Sequence, residues 1–133
     1  MRSLNRVMLI GHLAADPELR QTKSGHTVTT FPVATNRFSK SESGEKRSIA
    51  DFHRVVAWEK LGEICSDYLQ KGMAVYLDGR IVNSSYEDKN GVRQYRTEIM
   101  ADGLNILTWK KSRNGVDEVA IEEVDKEKEA VPA

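Results

Sequence analysis

The chain predicts an all-β fold with one helix: a five-stranded Greek-key barrel carrying long β-hairpin extensions. Three observations point there. Runs rich in β-branched and aromatic residues are separated by turn formers at 16–18, 23–25 and 87–91. One stretch, 59–70, switches from a period of two to a helical one. That stretch falls between the third and fourth strand-like runs.

The first strand is expected over 4–13, a β-rich run stopped by Asp16-Pro17-Glu18, where proline fixes φ and aspartate favours a turn. Residues 19–22 can continue the sheet before Lys23-Ser24-Gly25 reverses the chain. Residues 27–35 are dense in β-branched side chains, with Pro32 expected at an edge or bulge. Residues 36–47, rich in Ser, Lys, Glu and Gly, predict a mobile loop, long enough to suggest a functional role. The next strand covers 49–58. Leu61, Ile64, Cys65, Tyr68 and Leu69 then form one apolar helical face, closed by Lys71 and Gly72. Strands over 73–86 and 92–107 flank Asn90-Gly91, a strong hairpin signal.

Three strands, a helix and two long strands is the order of the OB-fold, an oligonucleotide-binding barrel plugged by its helix. A meander sheet with a packed helix is the plainer alternative. With 133 residues, one domain over 1–110 and a short acidic tail over 111–133 are expected, the tail's charge favouring disorder. The net charge of zero divides unevenly: 117–133 holds seven acids and two lysines, leaving 18 basic and 13 acidic residues before it. A basic body favours a polyanionic partner. A single cysteine, Cys65, excludes an internal disulfide framework, and no apolar run of about 18 residues exists to span a membrane. No secretory or transit signal is read at the N-terminus, so a cytoplasmic location is expected.

Within Phe52-His53-Arg54-Val55-Val56-Ala57-Trp58, strand alternation sends Phe52, Arg54, Val56 and Trp58 to one face. An exposed row of this kind could stack unpaired bases while the arginine holds a phosphate. The bland reading is a core-facing strand with Arg54 snorkelling outward. Phe38 and Tyr86, also among basic and small polar neighbours, extend the same pattern.

Several ordered motifs resemble the bacterial single-stranded DNA-binding protein family over about residues 4–107. Residues 5–13 with Asp16-Pro17-Glu18-Leu19-Arg20 look like its opening strand and turn, and Phe52-His53-Arg54-Val55-Val56 like its aromatic-His-Arg-Val-Val strand. Tyr68-Leu69-Gln70-Lys71-Gly72, Val75-Tyr76-Leu77-Asp78-Gly79 and Tyr95-Arg96-Thr97-Glu98-Ile99 follow in family order. The resemblance implies an OB-fold homotetramer that coats single-stranded DNA without sequence preference in replication, recombination and repair. It implies no catalysis. Carried over by position, Phe38, Phe52, Trp58 and Tyr86 stack bases, while Arg6, Arg20, Lys40, Arg54, Lys60, Lys71 and Arg93 meet phosphates. It also places His53 near a subunit contact.

Departures from the family qualify this. Phe38, Phe52 and Tyr86 stand where tryptophan is frequent, and Val82-Asn83-Ser84-Ser85 is neutral where basic residues are frequent, with Arg80 and Arg93 as partial compensation. A long Gly/Pro/Gln-rich linker is nearly absent, and Ala133 replaces the terminal aromatic. Replication and repair proteins are therefore expected to gain little hold through the tail. A primosomal-type adaptor working through protein contacts is the rival reading. The tail favours it weakly, and the set of stacking rings opposes it. His12, His26 and His53 form no metal pair, no phosphate-cradling glycine motif occurs, and Asp16 with Glu18 reads as turn chemistry, so neither a cofactor nor a nuclease is expected.

Overall fold

Three reversals of the chain are built alike. In Thr22-Lys23-Ser24-Gly25-His26, Ser41-Glu42-Ser43-Gly44-Glu45 and Asp88-Lys89-Asn90-Gly91-Val92, the first residue's N–H donates to the fifth residue's carbonyl, at 2.8, 2.9 and 3.0 Å. The glycine N–H donates back to the first residue's carbonyl. The first side chain, Thr, Ser or Asp, accepts the fifth N–H through oxygen. Each glycine takes a left-handed φ of +88, +85 or +78°, which a side chain would resist. A short polar acceptor followed three residues later by glycine is therefore this chain's hairpin rule.

In the last of these turns the Asp88 carboxyl is held below the usual carboxylate range, chiefly by the Val92 N–H at 2.9 Å and then by the Gln94 amide at 3.1 Å. Depression of a folded-state carboxyl means stability that is present above the unfolded value and lost as pH falls through the folded one. An NMR titration is expected to show the Asn90 and Val92 amides shifting together as Asp88 protonates, below the range of the ordinary carboxylates. Amides indifferent to that step would refute the coupling.

A computed structural model describes residues 1–108. The expected tail over 111–133, its disorder, and the domain limit at 110 lie outside the described residues. The elements are β1 (Val7–Leu13), β2 (Glu18–Gln21), β3 (Thr27–Lys40), β4 (Lys46–Trp58), α1 (Glu59–Tyr68), β5 (Ala74–Glu87) and β6 (Arg93–Thr108). The sheet order is β1-β5-β6-β4-β3-β2, and β1 also pairs with β3 at His12 and Leu13, drawing the sheet into a ring. All neighbours run antiparallel except β4 and β6, which are parallel at Val55–Ile99 and Val56–Met100. β2 is a separate short strand on β3, so the described residues hold the five expected strands and one short addition.

The mobile loop expected over 36–47 is not there. β3 and β4 stay paired out to Lys40 and Lys46, and only the second of the three turns lies between them. Its polar composition reflects an arm exposed on both faces, not an absence of pairing. Pro32 pairs opposite Arg54 on β4; on its other side β3 changes partners there, from β2 at 27–30 to β1 at 33–34. A residue without an N–H fits that gap between ladders.

Inside the ring, alternate residues of β1, β3, β4, β5 and β6 form the core: Leu13, Phe31, Val33, Val55, Ala57, Val75, Leu77, Ile99, Leu104 and Ile106. Burying each large apolar side chain contributes roughly 1.5–3 kcal/mol. Cys65 and Leu69 of the helical segment close one end. Tyr68, assigned to the same apolar face, is instead largely exposed.

Strand passes to helix without a loop. Gly62 lies so close beneath β4 that a Cβ there would stand 2.6 Å from the Ala57 carbonyl oxygen. The Gly62 carbonyl accepts a 2.7 Å hydrogen bond from buried Thr29. So abrupt a corner requires one left-handed residue, and the chain supplies Glu59, with φ +56°. Strained backbone of this kind costs of order 1–3 kcal/mol.

Candidate nucleic-acid interface

Cross-strand partners in a sheet share a face, so register alone decides which side chains meet. β3 and β4 pair even with even: Val28 with Trp58, Pro32 with Arg54, Ala34 with Phe52, Phe38 with Ser48, Lys40 with Lys46. The same parity crosses to β6 through Val56–Met100 and onward to β5 through Arg80–Met100, Ser84–Arg96 and Tyr86–Gln94. Phe38, Phe52, Trp58 and Tyr86 therefore occupy one continuous outward face. Their exposures of 78, 67, 37 and 48% leave ring surface open in each. His53, Val55 and Ala57 take the opposite side, with His53 Nε2 2.8 Å from the Thr35 hydroxyl. A core-facing role for Phe52 and Trp58 is thus absent from the protomer.

Spacing follows from strand rise. Four residues separate Phe52 from Ser48, the partner of Phe38, and six separate it from Trp58, giving roughly 13 and 20 Å along the arm. Two clefts flank the row. One, of about 370 Å³, lies between Phe52, Arg54, Thr30, Pro32, Asp16 and Glu18. The other, of about 330 Å³, runs beside Trp58 between Lys60, Leu61, Ile64, Met100 and Asp102.

Cations border the rings unequally. Arg20 shares the row of Val28 and Trp58 and pairs with Glu18 at 3.0 Å. Arg54 is tied to Glu98 at 2.5 Å, so a phosphate there must compete with a carboxylate. Lys40 faces Lys46 across the hairpin, and neither has an ion-pair partner within 4.0 Å among the described residues. Lys60 lines the cleft beside Trp58. Lys71 sits at the barrel end, where its N–H donates to Asp16, a residue of the Phe52 cleft.

Two expected contacts lie apart. Arg6 precedes β1, beside Asp78 of β5 at 3.8 Å, with β5 and β6 between it and β4 in the sheet order. Arg93 projects from the odd face of the β5–β6 arm and donates to Ser85 Oγ at 2.8 Å. Two residues of the face went unselected in the sequence: Lys46, and Arg96, whose guanidinium lies 5.1 Å over the Tyr86 ring. Both follow from counting back from the hairpin turns, since a turn at 88–92 sets 84 opposite 96.

Exposed rings, flanking cations and clefts on a closed β-ring can stack and track a single polynucleotide strand. Among the described residues, no cluster of three or more His, Cys, Asp and Glu side chains is placed to hold a metal ion.

Known proteins resemble this chain in sequence and in fold. A single-stranded DNA-binding protein 1 of Chlorobaculum tepidum is 45% identical over 120 residues, covering 90% of this chain and 74% of the relative. A single-stranded DNA-binding protein of Staphylococcus aureus is 41% identical over 111 residues, covering 84 and 70%. The solved Plasmodium falciparum SSB complex with ssDNA superposes with a TM-score of 0.72 at 31% identity, covering 80% of this chain and 97% of that one. The pattern that defines the single-strand binding protein family matches residues 4–107, and the chain belongs to that family.

Proposed function

We propose that this protein coats single-stranded DNA without sequence preference during replication, recombination and repair, stacking bases on Phe38, Phe52, Trp58 and Tyr86. The observation that carries this reading is the common register face of the four exposed rings. Arg20, Lys40, Arg54, Lys60 and Lys71 meet phosphates around it, with Lys46 and Arg96 added to the set. Arg6 and Arg93 serve DNA only where the strand wraps past β1 or crosses to the far side of the β5–β6 arm. The binding unit is the domain over 1–110, the tail over 111–133 is a separate acidic segment, and the place of action is the nucleoid in the cytoplasm.

Assembly as a homotetramer belongs to the same proposal. β1 is paired with β5 along its length but meets β3 only at its last residues, leaving the other edge open over most of the strand. Met8 and Ile10 are exposed beside that edge. An open, apolar-flanked edge strand supports pairing with a second copy. Light scattering is expected to report four copies.

The functional test uses intrinsic fluorescence. Adding oligo-dT should quench Trp58 emission, with affinity falling steeply as salt rises, by a slope of about 0.7 per phosphate contact. Duplex DNA of the same length should compete poorly. Unchanged emission together with no gel shift at low salt would defeat the reading, and feeble DNA affinity in a dimer would favour the adaptor instead.

A further inference from the structure

Beyond the rings themselves, we infer that Glu59 is a positioning residue for Trp58, clamped by His26. The inference rests on the reading of Trp58 as a stacking ring. Trp58 is the last residue of β4 and the N-cap of α1, with φ −103° and ψ 150° and no side-chain cap. Its backbone direction is therefore set by the residue that turns the corner. Glu59 is the one described non-glycine with a positive φ.

Nothing in the corner's own energetics calls for glutamate. Glycine would take the left-handed backbone without strain, as Gly25, Gly44, Gly72 and Gly91 do elsewhere in the chain. An acidic residue in a first helical turn gains from the helix dipole, but that gain needs no left-handed backbone. What the side chain adds is a tether. Its Oε1 lies 2.8 Å from His26 Nδ1, the fifth residue of the β2–β3 turn, 33 positions away. Both side chains are well exposed, so the pair itself adds little to stability.

The tether spans the row that matters. β2 and β3 lie beside Trp58 through Arg20–Val28 and Val28–Trp58, and His26 begins where those strands turn. Joining His26 to Glu59 fixes the corner against the β2–β3 hairpin, and the indole is fixed with it over the cleft of Lys60, Leu61, Ile64 and Met100. The clamp also gives the Glu59 carboxylate a hydrogen-bond partner beside the expected phosphate path.

The test compares two neutral variants of the full chain, Glu59→Gly and Glu59→Gln, in a Trp109→Phe background so that emission comes from Trp58. Both remove the same charge. Only the glutamine can still reach His26. Glu59→Gly is expected to melt at a higher temperature than Glu59→Gln, because its backbone is unstrained. In the free protein its indole should nonetheless be quenched by acrylamide about twofold more readily, and oligo-dT should bind three- to tenfold more weakly. His26→Ala should reproduce the emission and affinity changes without the gain in melting temperature. Equal acrylamide quenching and equal affinity in the two Glu59 variants would overturn the inference. A parent protein that fails to bind oligo-dT would sink the stacking reading instead, and quenching in the free protein would still decide the positioning role.

Discussion

Replacing Phe52 and Trp58 together by alanine is expected to weaken binding of a short oligo-dT by roughly 30-fold to 10⁴-fold. Each base–aromatic stack is worth about 1–3 kcal/mol by alanine substitution, and 1.4 kcal/mol is a factor of ten in affinity. The rings stand six residues apart on one strand, roughly 20 Å, too far to share one base, so their losses should add to first order. Neither ring belongs to the buried core, so the double variant should keep a cooperative melt and an unchanged far-UV spectrum. Trp58 loses more packing than Phe52, because it is the less exposed of the two rings, 37% against 67%. The informative control is salt. No charge has been removed, so log affinity against log salt should keep the parental slope while the whole line drops. Anisotropy of labelled dT across a salt series makes the measurement. A loss under twofold at every salt would mean that the strand does not run over this face.

How much of this face could be read beforehand depended on distance from the core. Within 52–58 the alternation of Phe52, Arg54, Val56 and Trp58 against His53, Val55 and Ala57 was legible, because a buried side makes parity obligatory. Outside the ring that constraint vanishes. Residues 36–47 carry polar side chains on both faces, so hydrophobic periodicity falls silent and the arm resembles a loop. The local signal was present all the same: Ser41 with Gly44 repeats the spacing of Thr22 with Gly25 and of Asp88 with Gly91. Lys46 and Arg96 were missed for the same reason, since their placement follows from turn register and not from composition. The helix and its start at Glu59 were legible from the apolar spacing, but its C-terminal end was not. Gly72 suggested a stop after Lys71, whereas α1 ends at Tyr68 and Gly72, with φ +94°, belongs to the turn into β5. The left-handed Glu59 could not be anticipated, because only the close approach of Gly62 to Ala57 requires it. Parallel pairing of β4 with β6 likewise depends on how the ring closes, which no local pattern encodes.

Gly79→Ala is expected to cost about 3 kcal/mol, near the top of the usual range for overpacking. A Cβ at this position would lie 2.0 Å from the Met100 carbonyl oxygen and 3.1 Å from the Ala101 Cα. Both obstacles are backbone of a paired strand, so neither can rotate aside. Gly79 also stands where the β5–β6 register shifts, between Asp78–Gly103 and Gly79–Ala101. Below the shift, Leu77 and Leu104 pair into the core; above it, Ile81 pairs with Ile99 and the strands run out as an arm. The irregularity thus reverses which parity of β6 points inward, from Ile99 and Ala101 to Leu104 and Ile106. It is what lets one strand serve the core and still present Arg96 over the Tyr86 ring on the outer face. Forcing the strands apart here should therefore act twice. Thermal melting should show a midpoint lower by roughly 10–20 °C for a domain of this size. At a temperature where the variant remains folded, Tyr86→Ala should cost less affinity for oligo-dT than in the parent, because the arm no longer aims its ring at the strand. A melting midpoint within 2 °C of the parent would show that the close approach is relieved cheaply, and an undiminished Tyr86→Ala effect would separate the bulge from the aim of the arm.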